Sequence, residues 1–594
     1  MALLGVTPVG LYALDEIPPY LDVSTPVPFW GFYDDDYAQR IYVLCVNPLP
    51  LTSSSDTFWY PLGVYPLGYL TPADRTVPEV KYYANKALVT NSTDTPPSTT
   101  IPSRLVQPIN FRASIPLPGS TSVSGSSSFG FARIANTGDL DDDLIGASWA
   151  GRDAVVYIGG TMHPGRADEQ VLQFSEYQKL YTLQVADISA DIGSVDVSLR
   201  DPIFKLSGTV QISTYLGNET DYEGLAEIKG QYKPICLGQC FRVPAVLVGE
   251  DYTYQYHNGA GTVQAVYDNG IALNEQEDST DLPNLTVTTG NYATDNSRGL
   301  VKIGDEPSSE IVVDCTGVGG TTVSSILEYL AGQAAIDIEN VSFNSYGNQS
   351  AGFWCDTSAV EISTVFNELM SSIDGWYIFR RDGKISLGEH TSISATPSVL
   401  TIDGREDGLP GIVEGSLRRS PGPPPVWKYT LGWKKYGATT VIEEEQYEKD
   451  LRKKYKRDRR KRRTRLNWQK YKLADSLNPD DISDWNLQFR KITPQENSRT
   501  LDYFKNSIAV EKDTHLITES EVDTLATGML NRDGRLRGLY SFKITRNLYK
   551  LFPGEVITLQ HDRFNLSSGK KGRVISMTED AASETTSLEV LIDE

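Results

Sequence analysis

Hydrophobic and polar positions alternate along much of this chain with the period of two that marks a half-buried strand. The clearest cases are FGFARIAN (129–136), DAVVYIGG (153–160), YTLQVADIS (181–189) and SVDVSLRD (194–201). In the last, Val195, Val197 and Leu199 alternate with polar neighbours, which predicts one face inward and one toward water. The pattern continues through 211–300, where Asn269-Gly270 in AVYDNGIAL predicts a tight hairpin because both positions tolerate positive φ. The period then changes. Val323, Ile326, Leu327, Leu330 and Ala334 recur at three and four, as do Ile362, Val365, Phe366, Leu369 and Ile373, predicting two amphipathic helices.

The second helix runs into WYIFRRDGKISLG, a predicted hairpin around Asp382-Gly383, so 305–392 reads as a small α+β unit. A strand with Trp427, Tyr429, Leu431 and Trp433 on one face follows. Farther on, Thr518-x-x-Glu521 predicts a capping box for a helix carrying Val522, Leu525 and Met529. Strands centred on Phe542, Val556, Val574 and Val590 end the sequence. Residues 1–74 mix aromatic runs with prolines and read as short strands and loops; 90–103 and 118–128 are flexible by composition. No fixed-period repeat is present, which disfavours solenoids and propellers.

Composition agrees with a mainly β, multidomain chain carrying a smaller α+β part. The 594 residues suit three to five domains, and 32 Tyr with 49 Gly and 32 Pro suit short strands and frequent turns. At 39% apolar residues the chain has material for real cores. Five scattered cysteines (Cys45, Cys236, Cys240, Cys315, Cys355) suggest no disulfide framework, hence assembly in a reducing compartment and buried or idle thiols. Nothing reads as a signal peptide or an 18-residue apolar span.

The search for chemistry is mostly negative, and the expectation is no catalytic residue, no metal and no cofactor. The five histidines (His163, His257, His390, His515, His561) are far apart and none lies in HExxH. Residues 316–322 are glycine-rich before a helix, yet lack the lysine of a P-loop, so a helix-start turn is the better reading. The cluster Asp139, Asp141, Asp142, Asp143 alternates like a calcium loop, but Leu144 and Ala150 stand where an EF-hand needs Gly and Glu.

Charge adds one feature. The net charge is -22, which excludes a general nucleic-acid binder, but residues 449–472 hold fourteen basic and two acidic side chains, +12, leaving -34 elsewhere. Arg452, Lys453, Lys454, Lys456, Arg457, Arg459, Arg460, Lys461, Arg462, Arg463 and Arg465 are the candidate contact residues, for acidic protein surface first and nucleic acid second. Tyr455, Trp468 and Tyr471 are placed to stack on bases in the second case.

The order of segments resembles tail hub proteins of long-tailed bacteriophages and prophages. VKYYANKALVTNSTDTPP, FGFARIANTGDLDDDL and WAGRDAVVYIGG are similar to the N-terminal part of that family. LRDPIFKL, GQYKPICLGQCFRVPAVLV and YQYHNGAGTVQAVYDNGIAL follow, with Lys233, Pro234, Gly238, Pro244, Tyr267, Asp268 and Gly270 on the family's pattern and Ile235-Cys236 departing where proline is usual. FKITRNLYKLFPGEVITLQ and GKKGRVISMTED resemble its last barrel. The likeness covers most of 75–594; 1–74 and the basic run fall outside it.

The resemblance implies two tail-tube-like β-barrels plus inserted domains, divided as 1–74 (accessory), 75–210 (first barrel), 211–304 (β-rich insertion), 305–392 (α+β) and 393–594 (second barrel, basic insertion at about 445–475). It implies a structural virion protein at the tail tip, assembled in the host cytoplasm. The implied state is a homotrimer joining a distal tail or tail tube protein to tip and fibre proteins, enclosing the end of the tape-measure protein and the exit channel for genomic DNA, with only indirect contact to the host surface. It also implies no enzyme, since no peptidase or lysozyme-like segment follows Glu594. The alternative reading is a receptor- or carbohydrate-binding adhesin, suggested by Trp30, Trp59 and Tyr60; a glycan-cleaving enzyme is a weaker third.

Overall fold

The computed structural model describes residues 39–46, 48–50, 80–404, 411–438, 485 and 487–594, apart from residues 121, 163, 166–168, 219–220, 343–345 and 550. The chain is mainly β throughout these residues. Its first large sheet has eight strands. In order they are Lys81–Ala84, Gln39–Val46, Asp153–Met162, Gln178–Ala190, Ser194–Arg200, Phe131–Ala135 and Leu105–Gln107, with Gln170–Val171 beside Asp153–Met162. The alternation read from the sequence is the cause: Val195, Val197 and Leu199 are buried while their polar neighbours are not. The strand Gln39–Val46 lies inside the stretch expected to be accessory, yet it is an interior strand with neighbours on both sides.

The second large sheet comes from the other end of the chain. Leu400–Asp403, Val556–His561, Leu566–Asp580, Thr585–Asp593, Arg537–Ile544 and Arg418–Pro421 follow one another across it. One further strand is borrowed: Phe111–Ser114 pairs with residues 576–579 of Leu566–Asp580, and Ser126–Ser128 pairs with it in turn. Apolar faces of both sheets meet in one continuous core, in which Phe111, Phe129, Tyr181, Phe552, Val574 and Val590 are all buried. Among the described residues the main path of each sheet runs between two end strands without closing, with the short strands named above branching from it. The Arg418–Pro421 end is exposed along its whole length and carries two arginines and a proline, side chains that discourage unplanned edge pairing.

Between these sheets the chain makes two smaller units. Residues 235–316 contribute to two five-stranded sheets; in one, Ile235–Pro244 lies between Ile311–Thr316 and Gly352–Cys355. The hairpin at Asn269-Gly270 forms as predicted, with φ of 52° and 83°. The α+β unit has a three-stranded sheet, Ile338–Ser342, Ile385–Glu389 and Gly375–Phe379, and the helices Val323–Gln333 and Ile362–Ser372. Val323, Ile326, Leu327 and Leu330 of the first helix and Val365, Phe366 and Leu369 of the second are fully buried, as their spacing requires. Their core also takes in Tyr429 and Leu431 of the strand Val426–Trp433 and Val522, Leu525 and Met529 of the helix Glu519–Asp533.

That last helix corrects one expectation. Thr518 stands at its N-cap, but its side chain makes no capping bond. The carboxylate of Glu521 instead accepts the backbone N–H of Ser350 at 3.1 Å, so a tertiary contact has taken the group that a capping box needs. The reciprocal cap occurs at Val323–Gln333, between Thr322 and Ser325.

The hairpin at Asp382-Gly383 reaches between the two large sheets. Thr182 donates its N–H to the carbonyl of Arg381 at 2.7 Å, and Gly383, at φ 80°, lies against Thr182. The Arg381 guanidinium then makes a two-pronged ion pair with Glu579, with one N···O distance of 2.8 Å. It also lies 4.4 Å from the ring centre of Phe111. Tyr181 donates to the same carboxylate at 3.3 Å. One arginine thus joins the first sheet, the second sheet and the α+β unit.

Candidate functional site

The basic segment singled out by its charge, from Arg452 to Arg465, lies outside the described residues, as do Tyr455, Trp468 and Tyr471. The structure does describe residues on either side of it, 434–438 and Trp485. Past Val426–Trp433 the chain turns at Lys434, at φ 52°, and runs beside Ile235–Pro244. Tyr436 bridges to Phe241, Gly437 donates its N–H to the Phe241 carbonyl at 3.0 Å, and Ala438 donates to the Arg242 carbonyl at 2.9 Å. Residue 485, on the returning limb, is a tryptophan only 7% exposed, edge-on to Tyr267 with ring centres 5.3 Å apart.

Arg242 holds the two limbs together. Its guanidinium carbon lies 3.8 Å from the ring centre of Tyr436 and 3.9 Å from that of Trp485. A planar, weakly hydrated cation between two aromatic rings gains from both ring faces while excluding water. The local backbone explains how an arginine reaches this position. The pairing of Ile235–Pro244 with Ile311–Thr316 shifts register between Cys240 and Val243, and Arg242 there has a φ of 51°. Such a bulge turns a side chain out of the ladder, at a cost in backbone strain that the surroundings must offset.

The offset is visible. The Arg242 N–H donates to Asp314 Oδ1 at 2.7 Å, and the Tyr267 hydroxyl donates to Asp314 Oδ2 at 3.1 Å. Burial raises the Asp314 carboxyl above its ordinary range, opposed by these two hydrogen bonds. Burial, followed by the Asp314 charge, likewise raises the Tyr267 phenol. Lys434 extends the arrangement, its ammonium 4.2 Å from the centre of Phe241. The result is a closely packed stem in which Arg242 joins residues 434–438 to Trp485. Sequence reasoning missed this stem; the available signal was an arginine interrupting the otherwise apolar run QCFRVPAV.

The other nominated features resolve locally. The glycine-rich turn is a helix start. The N–H groups of Val323 and Ser324 are taken by the carbonyls of Gln349 and Gly347, and that of Ser325 by the Thr322 hydroxyl, so they are not turned toward a phosphate. In the acidic cluster, Asp139 pairs with Arg104 and Asp141 accepts from Asn136 at 2.8 Å. Among the described residues no group of three or more His, Cys, Asp or Glu side chains is arranged to hold a metal ion. His257, His390 and His515 are buried, and His515 Nε2 lies 2.5 Å from Glu368. His163 lies outside the described residues.

No family model matches the sequence, and no curated protein matches it. Solved structures similar to this chain include tail and virion proteins. The tail protein from Neisseria meningitidis MC58 is 9% identical, with a TM-score of 0.36 over 82% of this chain and 91% of its own. The 43 kDa tail protein of prophage MuSo2 from Shewanella oneidensis is 9% identical, with a TM-score of 0.35 over 82% and 93%. A chain of the native gene transfer agent virion is 10% identical, with a TM-score of 0.37 over 62% and 85%.

Proposed function

We propose that this chain is a structural protein of a phage or prophage tail, and within the tail the hub at its tip. The observation that carries the reading is architectural. Two large and mostly antiparallel sheets, one drawn mainly from each end of the chain, share one core and a borrowed strand, and the α+β unit packs into that core through Trp376 and Ile378. This suits a part whose work is to keep its shape under load, and it coincides with sequence segments in the order of tail hub proteins. Three copies would set their open sheet ends side by side and close a ring around the path of the DNA. A distal tail or tube protein would lie above, tip and fibre proteins below, and the end of the tape-measure protein inside. The acidic body would repel DNA from the wall so that the genome slides. The basic segment, on its fixed stem, would dock on a neighbouring acidic surface.

Electron microscopy of the purified full chain tests this. A threefold ring with a pseudo-sixfold outline is expected, and single copies at every concentration up to the highest attainable would overturn the hub. The adhesin reading rests on Trp30, Trp59 and Tyr60, all outside the described residues, and no observation on the described part favours it.

A further inference from the structure

Four of the five cysteines are buried, and two of those face each other. The Sγ atoms of Cys236 and Cys315 lie 3.4 Å apart in the core between Ile235–Pro244 and Ile311–Thr316. A hydrogen-bonded chain fixes the pair: the Cys315 thiol donates to Cys236 Sγ, and the Cys236 thiol donates to the Tyr256 carbonyl at 3.4 Å. The backbone is held as well. The Cys236 N–H donates to His257 Nδ1 at 3.1 Å, and Gly317, two residues beyond Cys315, packs so closely that a Cβ there would stand 2.0 Å from the Cys236 carbonyl oxygen. Cys240 is a third neighbour, standing opposite Cys315 in the strand ladder with its thiol close enough to bear on that of Cys236. Cys240 donates to its own strand at Leu237, Cys355 sits in the neighbouring core, and Cys45 belongs to the first sheet.

We propose that Cys236 and Cys315 are a latent cross-link, a modification site at which a small peroxide converts two neighbouring thiols into one disulfide between adjacent strands. Peroxide oxidises the first thiol to a sulfenic acid; the O–O bond breaks, an S–O bond forms and one water leaves. The second thiol then attacks that sulfur, the S–O bond breaks, hydroxide leaves as water with the second thiol's proton, and the S–S bond forms. Two thiols are oxidised and one peroxide is reduced to two waters. A bulky thiol reagent finds both sulfurs shielded, whereas a molecule the size of water needs only a small local opening. Burial, reinforced by the neighbouring thiols, raises Cys236 above the ordinary thiol range, and Cys315 is raised too despite the hydrogen bond between them. Both therefore stay protonated near neutrality, which makes the step slow there and faster as the medium becomes alkaline.

The consequence falls on the stem described above. Cys236 shares a strand with Arg242, and Cys315 adjoins Asp314, whose carboxylate fixes the Arg242 backbone. Oxidation would tie together the two strands that build the clamp around the base of the basic segment.

The test uses the full chain purified in reductant, freed of it and exposed to hydrogen peroxide at mildly alkaline pH, then unfolded and labelled with maleimide. The expected result is that two of the five thiols escape labelling, that the mass falls by two hydrogens, and that tandem fragmentation of the digest joins Cys236 to Cys315. Cys240→Ala keeps the link and Cys236→Ala abolishes it. Labelling of all five thiols after peroxide, a link through Cys240, or oxidation ending at sulfinic acid with no link would each overturn the proposal. Fragmentation of the unsubstituted protein decides the matter even if Cys236→Ala does not fold.

Discussion

Arg381 and Glu579 stand 198 residues apart in sequence and meet as a two-pronged ion pair inside the core, their side chains 8% and 2% exposed. Removing one partner strands the other charge in a place with no water to receive it. Arg381→Met and Glu579→Gln should each lower the unfolding free energy by about 3–5 kcal/mol in urea titrations. Replacing both, as Arg381→Met with Glu579→Leu, should recover most of that loss, since the attraction of a buried pair is largely offset by its desolvation. Two single losses that simply add in the double variant would contradict this account.

Stability should also depend on the protonation of His257. Burial lowers this imidazole from 6.5 to about 4, partly opposed by a backbone hydrogen bond to Ala260. The folded protein therefore refuses a proton that the unfolded chain accepts. The contribution is fully present above about pH 6.5 and is lost as the pH falls toward 4, at about 1.4 kcal/mol per pH unit for one group. His390, lowered further by burial and by Arg532 and Arg573, acts in the same direction. Urea midpoints measured between pH 7 and pH 5 should fall accordingly. His257→Asn, whose side-chain carbonyl can accept the Cys236 N–H, should flatten part of the slope.

At the stem, Arg242 and Trp485 should be energetically coupled. Guanidinium and indole meet at 3.9 Å with both side chains buried, so a double-mutant cycle of Arg242→Ala and Trp485→Ala should return a coupling of about 2 kcal/mol. A coupling near zero would mean that the two limbs are held by their backbone hydrogen bonds alone.

Two glycines should respond oppositely to the same change. Gly317→Ala would press a methyl group to 2.0 Å from the Cys236 carbonyl oxygen and should cost about 3 kcal/mol or prevent folding. Gly332, inside the helix Val323–Gln333 with nothing within 4 Å of its missing Cβ, should gain about 0.5–1 kcal/mol as alanine. Thermal midpoints of the two variants against the parent chain settle the signs.

The basic segment has its own test. Neutralising Arg459, Arg460, Lys461, Arg462 and Arg463 together with glutamine should leave the folded monomer unchanged in urea and, on the proposed hub reading, weaken self-association, read by sedimentation at graded salt. Rings that form normally on particles that fail to release DNA would instead favour contact with nucleic acid.

What could be read from the sequence was whatever depends on near neighbours. Val195, Val197 and Leu199 turn inward because the pleat has a period of two, Leu327 and Leu330 because the helix has a period of 3.6, and Asn269-Gly270 turns because both residues accept positive φ. What could not be read depends on distant partners. Nothing in FRAS at 111–114 says that it will pair with residues 576–579, because those bonds are made by backbone groups that every residue carries. Glu521 has the spacing of a cap and serves Ser350 instead, since a carboxylate goes to the donor that the tertiary fold brings nearest. Nothing in the sequence around Arg242 names its partners, and only the bulge and the aromatic rings of Tyr436 and Trp485 make it a clamp.

The strand Phe111–Ser114 is made early and used late. It leaves the ribosome hundreds of residues before Leu566–Asp580, whose edge it completes, and the core it helps to line stays open until that partner arrives. A polypeptide released before its last two hundred residues has no place to put Phe111, Phe129 and Tyr181, and it presents sticky apolar surface instead of a finished wall. Burial of this core is thereby tied to the far end of the described residues: the early strand gains its partner only once Leu566–Asp580 has been made.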